Sequence, residues 1–394
     1  MGDPAERRFL IVAGEASGDV HAARLVRELA AGGPVEVRGA GGPNLRAAGV
    51  HTLVDMTELN VIGFSAVVKR LPVILRALKS LRAEAERFKP HAAILVDSPG
   101  FNFRLGPALK RAGIPVFYYI APQVWAWHRE RARQMAAWVD HLAVVFPFEE
   151  PLFREAGVSA TFVGHPLLEE LAPEVSETQL RSELGLNAKQ RVLGLLPGSR
   201  PQEIRALMPV LMQATALLSS SRADLAAVLP LAPGLEPEAV AAAARARLTV
   251  SAEGRVTIER GGVTVRLVRG RTRSVMSVAR ACAVASGTAT LETALTGTPL
   301  VVVYRVGALN YWIARRVVKL DHIGLPNIVA GEAIVPECVQ HECTPERIAA
   351  ILTPWLDDEA ARTAAANQLL RVRERLGDPG ASRRAAALVR ELVQ

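Results

Sequence analysis

Residues 192–204 read VLGLLPGSRPQEI. Positions 192–196 carry no polar side chain, which suits a parallel strand covered on both faces. Pro197-Gly198-Ser199-Arg200 then turns the chain, and Pro201 suits the first position of a helix. The same succession of strand, turn and helix recurs after apolar runs at 9–13, 92–96, 116–120, 142–146, 225–229, 263–268, 281–285 and 300–304. Apolar runs alternating with helical patterns predict an α/β fold built on doubly wound parallel sheets. The series reaches about residue 165, breaks over a charged stretch at 166–188 that contains Pro173, and restarts at Arg191. Two Rossmann-like domains facing a central cleft are therefore expected, over 1–170 and 188–355. C-terminal helices follow over 356–394, to pack back on the first domain or reach a partner subunit. Gly261-Gly262 between two β-rich runs predicts an added hairpin within 248–270, to which no function attaches.

The 394 residues exceed what one compact domain usually takes. Hydrophobic residues make up 50% and charged residues 22%, a balance that fills large cores and excludes a disordered chain. Aromatics, at 5%, are too few for a nucleic-acid stacking surface, so no nucleic acid is expected. The net charge of +8 fits an anionic membrane or phosphorylated small molecules, and equally a plain basic protein. Cys282, Cys338 and Cys343 show no CxxC spacing, so reduced thiols are expected, without disulfides or a metal site. The run at 9–13 is too short for a signal peptide, and no stretch reaches the roughly 18 apolar residues of a spanning helix. A cytoplasmic chain with only peripheral membrane contact is expected.

Ligands of open α/β sheets sit beyond the carboxyl ends of the strands. After 9–13 comes Gly14-Glu15-Ala16-Ser17-Gly18-Asp19, a turn that favours polar or anionic groups or is a plain βα turn. After 92–96 comes Asp97-Ser98-Pro99-Gly100-Phe101-Asn102, where Asp97 is either a proton acceptor or a helix cap. After 116–120, Trp125, Trp127, His128 and Arg131 offer sugar stacking and phosphate binding, although tryptophans two apart do not share a helix face. Gly198, Ser199 and Arg200 combine backbone N–H groups, a hydroxyl and a guanidinium, a set suited to a diphosphate. Ser286-Gly287-Thr288-Ala289-Thr290-Leu291-Glu292 is a second such turn, with Glu292 suited to ribose hydroxyls or to the helix dipole. At 61–81, Phe64, Val67, Val68, Leu71, Ile74 and Leu75 recur at helical spacing among Lys69, Arg70, Arg76, Lys79 and Arg82. Such a helix can lie in an anionic membrane interface or be an ordinary half-buried helix. Residues 311–319, YWIARRVVK, are a second candidate.

The motifs GEASGD (14–19), VDSPGFN (96–102), PQVWAW (122–127), FPFE (146–149), FVGHP (162–166), LLPGSR (195–200), ASGTATLE (285–292) and LPN (325–327) stand in one register. Together they resemble the lipid-A-disaccharide synthase family of bacterial glycosyltransferases from about residue 9 to 390. The resemblance implies a GT-B architecture and a Gram-negative source. It implies an inverting transfer from UDP-2,3-diacylglucosamine to 2,3-diacylglucosamine 1-phosphate (lipid X) at the inner membrane, without a metal or other cofactor. A homodimer is left open. In this reading Asp97 is the catalytic base. Gly198, Ser199, Arg200, Glu203, Gly287, Thr288, Thr290, Glu292 and Asn327 hold the UDP-sugar. Glu15, Ser17, Asp19, Asn102 and Arg131 line the acceptor side. His128 stands where an arginine is the commoner residue, which shifts the phosphate role to Arg131. Other GT-B enzymes, such as a UDP-N-acetylglucosamine 2-epimerase or the peptidoglycan lipid-linked glycosyltransferase, and a non-catalytic nucleotide-sugar-binding protein are the competing readings.

Overall fold

A computed structural model describes residues 6–55, 64–124, 129–307 and 321–394, with the backbone alone for 64–70 and 129. The chain divides into two compact units, Met1–Glu169 with Leu376–Gln394, and Glu170–Arg375.

The first unit carries, in chain order, β1 (Arg7–Ala13), α1 (Ala16–Ala30), β2 (Val35–Gly41), α2 (Pro43–Ala47), β3 (His51–Asp55), α3 (Phe64–Phe88), β4 (Ala92–Val96), α4 (Pro99–Arg111), β5 (Val116–Tyr119), α5 (Arg129–Ala136), β6 (His141–Val144), α6 (Glu149–Glu155) and β7 (Ala160–Phe162). The strands form one sheet in the order β3-β2-β1-β4-β5-β6-β7, parallel throughout. Positions 9–13 of β1 and all of β4 are apolar because both faces are covered there. Leu10, Val12, Leu95, Tyr118 and Leu142 share one core with Leu81 of α3, Leu105 of α4 and Met135 of α5. On the other face α1 packs against the last helix of the chain, Ala381–Leu392. Arg390 of that helix donates to the carbonyls of Glu28 and Leu29, placing a cation at the negative end of α1. The chain runs outward in opposite directions from β1 and β4, so their ends form the crevice of this sheet.

The second unit carries α7 (Glu177–Leu184), β8 (Arg191–Leu196), α8 (Pro201–Ser219), β9 (Leu225–Leu231), α9 (Pro237–Ala244), β10 (Arg247–Val250), β11 (Val256–Arg260), β12 (Val263–Arg269), α10 (Thr272–Val278), β13 (Ala281–Ala285), α11 (Thr288–Leu295), β14 (Leu300–Tyr304), α12 (Leu325–Ala330), β15 (Glu337–Val339), α13 (Pro345–Asp357) and α14 (Glu359–Arg375). Its sheet order is β10-β11-β12-β9-β8-β13-β14-β15. Leu193 and Leu195 of β8 enter the core on one face, Val192 and Leu196 the core on the other. The switch point lies between β8 and β13. The expected hairpin is a three-stranded antiparallel extension, β10-β11-β12, joined to the parallel sheet through β9.

The C-terminal helices divide between the units. Helix α14 belongs to the second unit, and the last helix, α15 (Ala381–Leu392), belongs to the first. Among the described residues no helix is long and apolar enough to cross a membrane.

Candidate functional site

At the end of β4, Asp97 and Ser98 both take left-handed backbone conformations, φ 47° and 46°. Each such non-glycine residue costs on the order of 1–3 kcal/mol and persists only where its surroundings impose it. Here Asn102 Nδ2 donates to the Asp97 carbonyl at 2.7 Å, and the Tyr118 hydroxyl donates to the same oxygen at 2.5 Å. Both side chains are wholly buried. The β1 turn packs against this one. A Cβ at Gly14 would fall 2.3 Å from Ser98 Oγ, so the approach requires glycine. Asp97 itself is half-buried. Burial and then the Glu15 charge push its carboxyl up to about 6. An acid that ionises there is suited to accept a proton near neutral pH.

Glu15 and Ser17 are exposed at the start of α1, beside this turn. Arg131 is exposed, with its guanidinium 5.6 Å from the Phe103 ring of α4. Asp19 departs from the expected acceptor-lining position. It is wholly buried, and its carboxylate accepts from Gly42 N at 2.6 Å, Asn44 N and Nδ2 both at 2.9 Å, and Leu45 N at 3.3 Å. Asp19 therefore anchors the start of α2. Asn102 likewise fixes the Asp97 backbone instead of lining an open surface. Trp125, Trp127, His128 and 311–319 lie outside the described residues, as do the side chains of Phe64, Val67 and Val68.

The FPFE and FVGHP motifs join the chain's return to the first unit. Phe146 N donates to buried Glu149 at 3.1 Å, and the Phe146 and His165 rings lie 5.0 Å apart. Burial pushes the His165 imidazole down to about 3, so it is neutral and accepts from Leu167 N. His165 N donates to Leu376 O at 3.2 Å, and Arg384 Nε to Val163 O at 2.8 Å.

In the second unit the turns after β8 and β13 flank the switch point. Gly198 has φ 100°, and a Cβ there would fall 2.2 Å from Glu203 Oε2. That oxygen accepts from Ser199 N and Arg200 N, both at 3.1 Å, while Arg200 Nη1 donates to Glu203 Oε1 at 3.3 Å. Glu203 thus caps α8 by occupying the N–H groups that the sequence assigns to a diphosphate. Ser199 and Arg200 are exposed. Tyr304, at the end of β14, was not singled out from sequence. Burial raises its phenol, as does the Glu203 charge, while Arg200 opposes.

Gly287 and Thr288 are exposed at the start of α11. Thr290 is wholly buried, and its hydroxyl donates to Gly287 O at 2.7 Å. Glu292 is half-buried. Burial, then the Glu170 charge, raises its carboxyl while Arg273 opposes. Asn327 also departs from expectation. It is wholly buried, donating to Val335 O and Glu337 Oε1, both at 2.8 Å, and accepting from Ile334 N at 2.9 Å and Val335 N at 2.8 Å. Its amide is fully used in closing the loop after α12. Thr290 and Asn327 shape their turns from within, a distinction that depends on which way each side chain faces.

Two Rossmann-like sheets of this kind, each with Gly-rich turns at its switch point, are the makeup of the GT-B fold. The fold is similar to that of a UDP-GlcNAc 2-epimerase from Neisseria meningitidis bound to UDP-GlcNAc, with a TM-score of 0.66 and 12% identity over 98% of this chain and 100% of that one. It is also similar to CalG4, the calicheamicin glycosyltransferase, with a TM-score of 0.58 and 16% identity over 99% of each chain. At those identities the likeness concerns the fold alone. The lipid-A-disaccharide synthetase family model matches residues 9–392. A lipid-A-disaccharide synthase of Geobacter metallireducens is 42% identical over 100% of this chain and 99% of its own length. The chain belongs to the lipid-A-disaccharide synthase family.

Proposed function

We propose that the chain transfers the diacylglucosaminyl unit of UDP-2,3-diacylglucosamine to the 6-hydroxyl of lipid X. The products are the β-1,6-linked lipid A disaccharide 1-phosphate and UDP. Family membership over nearly the whole chain supports the reaction. The observation that carries the residue assignment is Asp97, held at a switch point with its carboxyl ionising at about 6. In this reading Asp97 takes the hydroxyl proton as the acceptor oxygen attacks the anomeric carbon. The bond to the β-phosphate oxygen breaks, its electron pair leaves with UDP, and the configuration inverts. Arg200, Ser199 and Thr288 stabilise the charge that grows on the diphosphate, with N–H groups of the Gly287 turn and, once Glu203 releases them, those of the Gly198 turn. Glu292 holds ribose hydroxyls. Glu15, Ser17 and Arg131 contact the acceptor, while Asp19, Asn102, Thr290 and Asn327 support the turns that carry them.

Both substrates are lipids, which favours work at the anionic inner-membrane surface. Leu71 and Leu75, one turn apart on α3, are 44% and 54% exposed beside exposed Arg76, Lys79 and Arg82. They are the membrane contact in this reading, whereas Ile74 packs against the core. UDP release should require the acylated donor, and the Leu71→Ser/Leu75→Ser variant should bind anionic liposomes more weakly. Release from non-acylated donor at equal rate would contradict the lipid-substrate reading. Unchanged liposome binding would contradict the α3 contact.

A further inference from the structure

The β10-β11-β12 extension builds a feature that the proposed reaction does not use. A cavity of about 250 Å³ lies at the carboxyl edge of the second sheet, where Leu231 and Arg269, the last residues of β9 and β12, stand in register. Leu184, Leu231 and Leu267 form an apolar floor, and Arg255 and Arg266 enter from the extension. Arg266 is half-buried; its Nε donates to Leu184 O at 3.2 Å, and its two Nη groups have no acceptor among the described residues. The Arg255 guanidinium packs against Gly185, where a Cβ would fall 2.8 Å from its Nη1. Its nearest carboxylate, Glu253, is 3.9 Å away. The other lining charges are spoken for, Glu183 by Arg271 and Arg269 by Glu236.

Capping of α7 explains part of this arrangement, since a helix C-terminus supplies about half a negative charge. Two guanidinium groups bring two positive charges against that half charge and the single Glu253 carboxylate, held only at 3.9 Å from Arg255, so a net positive charge remains. Burial, and then the Arg255 charge, pull the Arg266 guanidinium below its ordinary value. At about 30 Å³ per water the cavity has room for a phosphate group together with an organic substituent on the apolar floor. We infer that Arg255 and Arg266 form a binding site for a phosphomonoester or inorganic phosphate, separate from the Gly198–Arg200 turn.

Isothermal titration with inorganic phosphate tests this in an Arg200→Ala background, which removes the guanidinium of the donor turn. Binding should persist there and weaken at least about tenfold on adding Arg255→Gln, the loss of one charge-assisted contact. Arg255 is exposed enough for the change to leave folding intact, and Arg255→Lys should restore much of the affinity. Vesicles of phosphatidylglycerol and of phosphatidylcholine form the second arm. Dependence on Arg255 with anionic vesicles but not with free phosphate would overturn the inference in favour of a phosphodiester headgroup. Phosphate binding abolished by Arg200→Ala alone, or phosphate and vesicle binding both indifferent to Arg255→Gln, would overturn the inference. Neither result bears on Asp97.

Discussion

Replacing Asp97 by Asn should make the protein inactive and more stable at the same time. The carboxyl is raised from 3.8 to about 6, which corresponds to ~3 kcal/mol favouring the protonated form in the folded chain. Between those two values the folded state holds a proton that the unfolded state has released. Stability therefore falls as pH rises from about 4 to 6, and above that range the ionised group imposes its whole cost. Asparagine has no charge to desolvate and keeps the side-chain shape. The variant should match the native protein below about pH 4 and exceed it by ~2–3 kcal/mol at pH 8, allowing for partial exposure. For a unit of this size that is about 5–10 °C in the midpoint of its thermal transition. Circular dichroism melts at the two pH values read the stability, and UDP release reads turnover, which should fall by about 10²-fold or more. A stability gain that is absent, or equal at both pH values, would refute the desolvated carboxylate. Near-normal turnover would refute the base.

Tyr118→Phe removes one of the two side-chain bonds that hold the Asp97 carbonyl. It should lower kcat about tenfold with little change in donor KM, and an unchanged kcat would show that Asn102 suffices. Glu203→Gln should bind UDP several-fold more tightly by calorimetry, because a neutral amide gives up the Ser199 and Arg200 N–H groups more readily, at ~1 kcal/mol of stability. Weaker UDP binding would mean instead that the carboxylate is needed to shape the turn. Asp19→Ala leaves buried N–H groups at the start of α2 without an acceptor and should cost ~3–5 kcal/mol in chemical denaturation. A loss of activity in that variant without loss of stability would return Asp19 to the acceptor side.

Most strands legible in the sequence were buried on both faces, β12 with its alternating burial being an exception. The runs at 92–96, 281–285 and 300–304 coincide with β4, β13 and β14. β2, β3, β7 and β15 escaped notice because they are short or mix polar with apolar residues, as VEVRGAG of β2 does. Their pairing comes from neighbouring strands more than from their own pattern. Strand-end position also singled out Asp97, since a polar residue directly after a buried run must leave the sheet at its carboxyl edge, whereas Arg200 and Glu292 follow only in the next turn and helix.

Which polar residues point outward was decided only by the tertiary structure. Asp19 and Glu15 belong to one motif four residues apart, yet one is wholly buried against α2 and the other exposed. Tyr118 reads as an ordinary strand residue until β5 pairs with β4 and brings its hydroxyl to the Asp97 carbonyl. Residue types and their order suffice to place a candidate base and a candidate diphosphate turn at strand ends. A hydrogen bond across 21 residues of chain, a carboxyl raised by burial, and a Glu203 that occupies its own anion site depend on distances that exist only once the chain has folded.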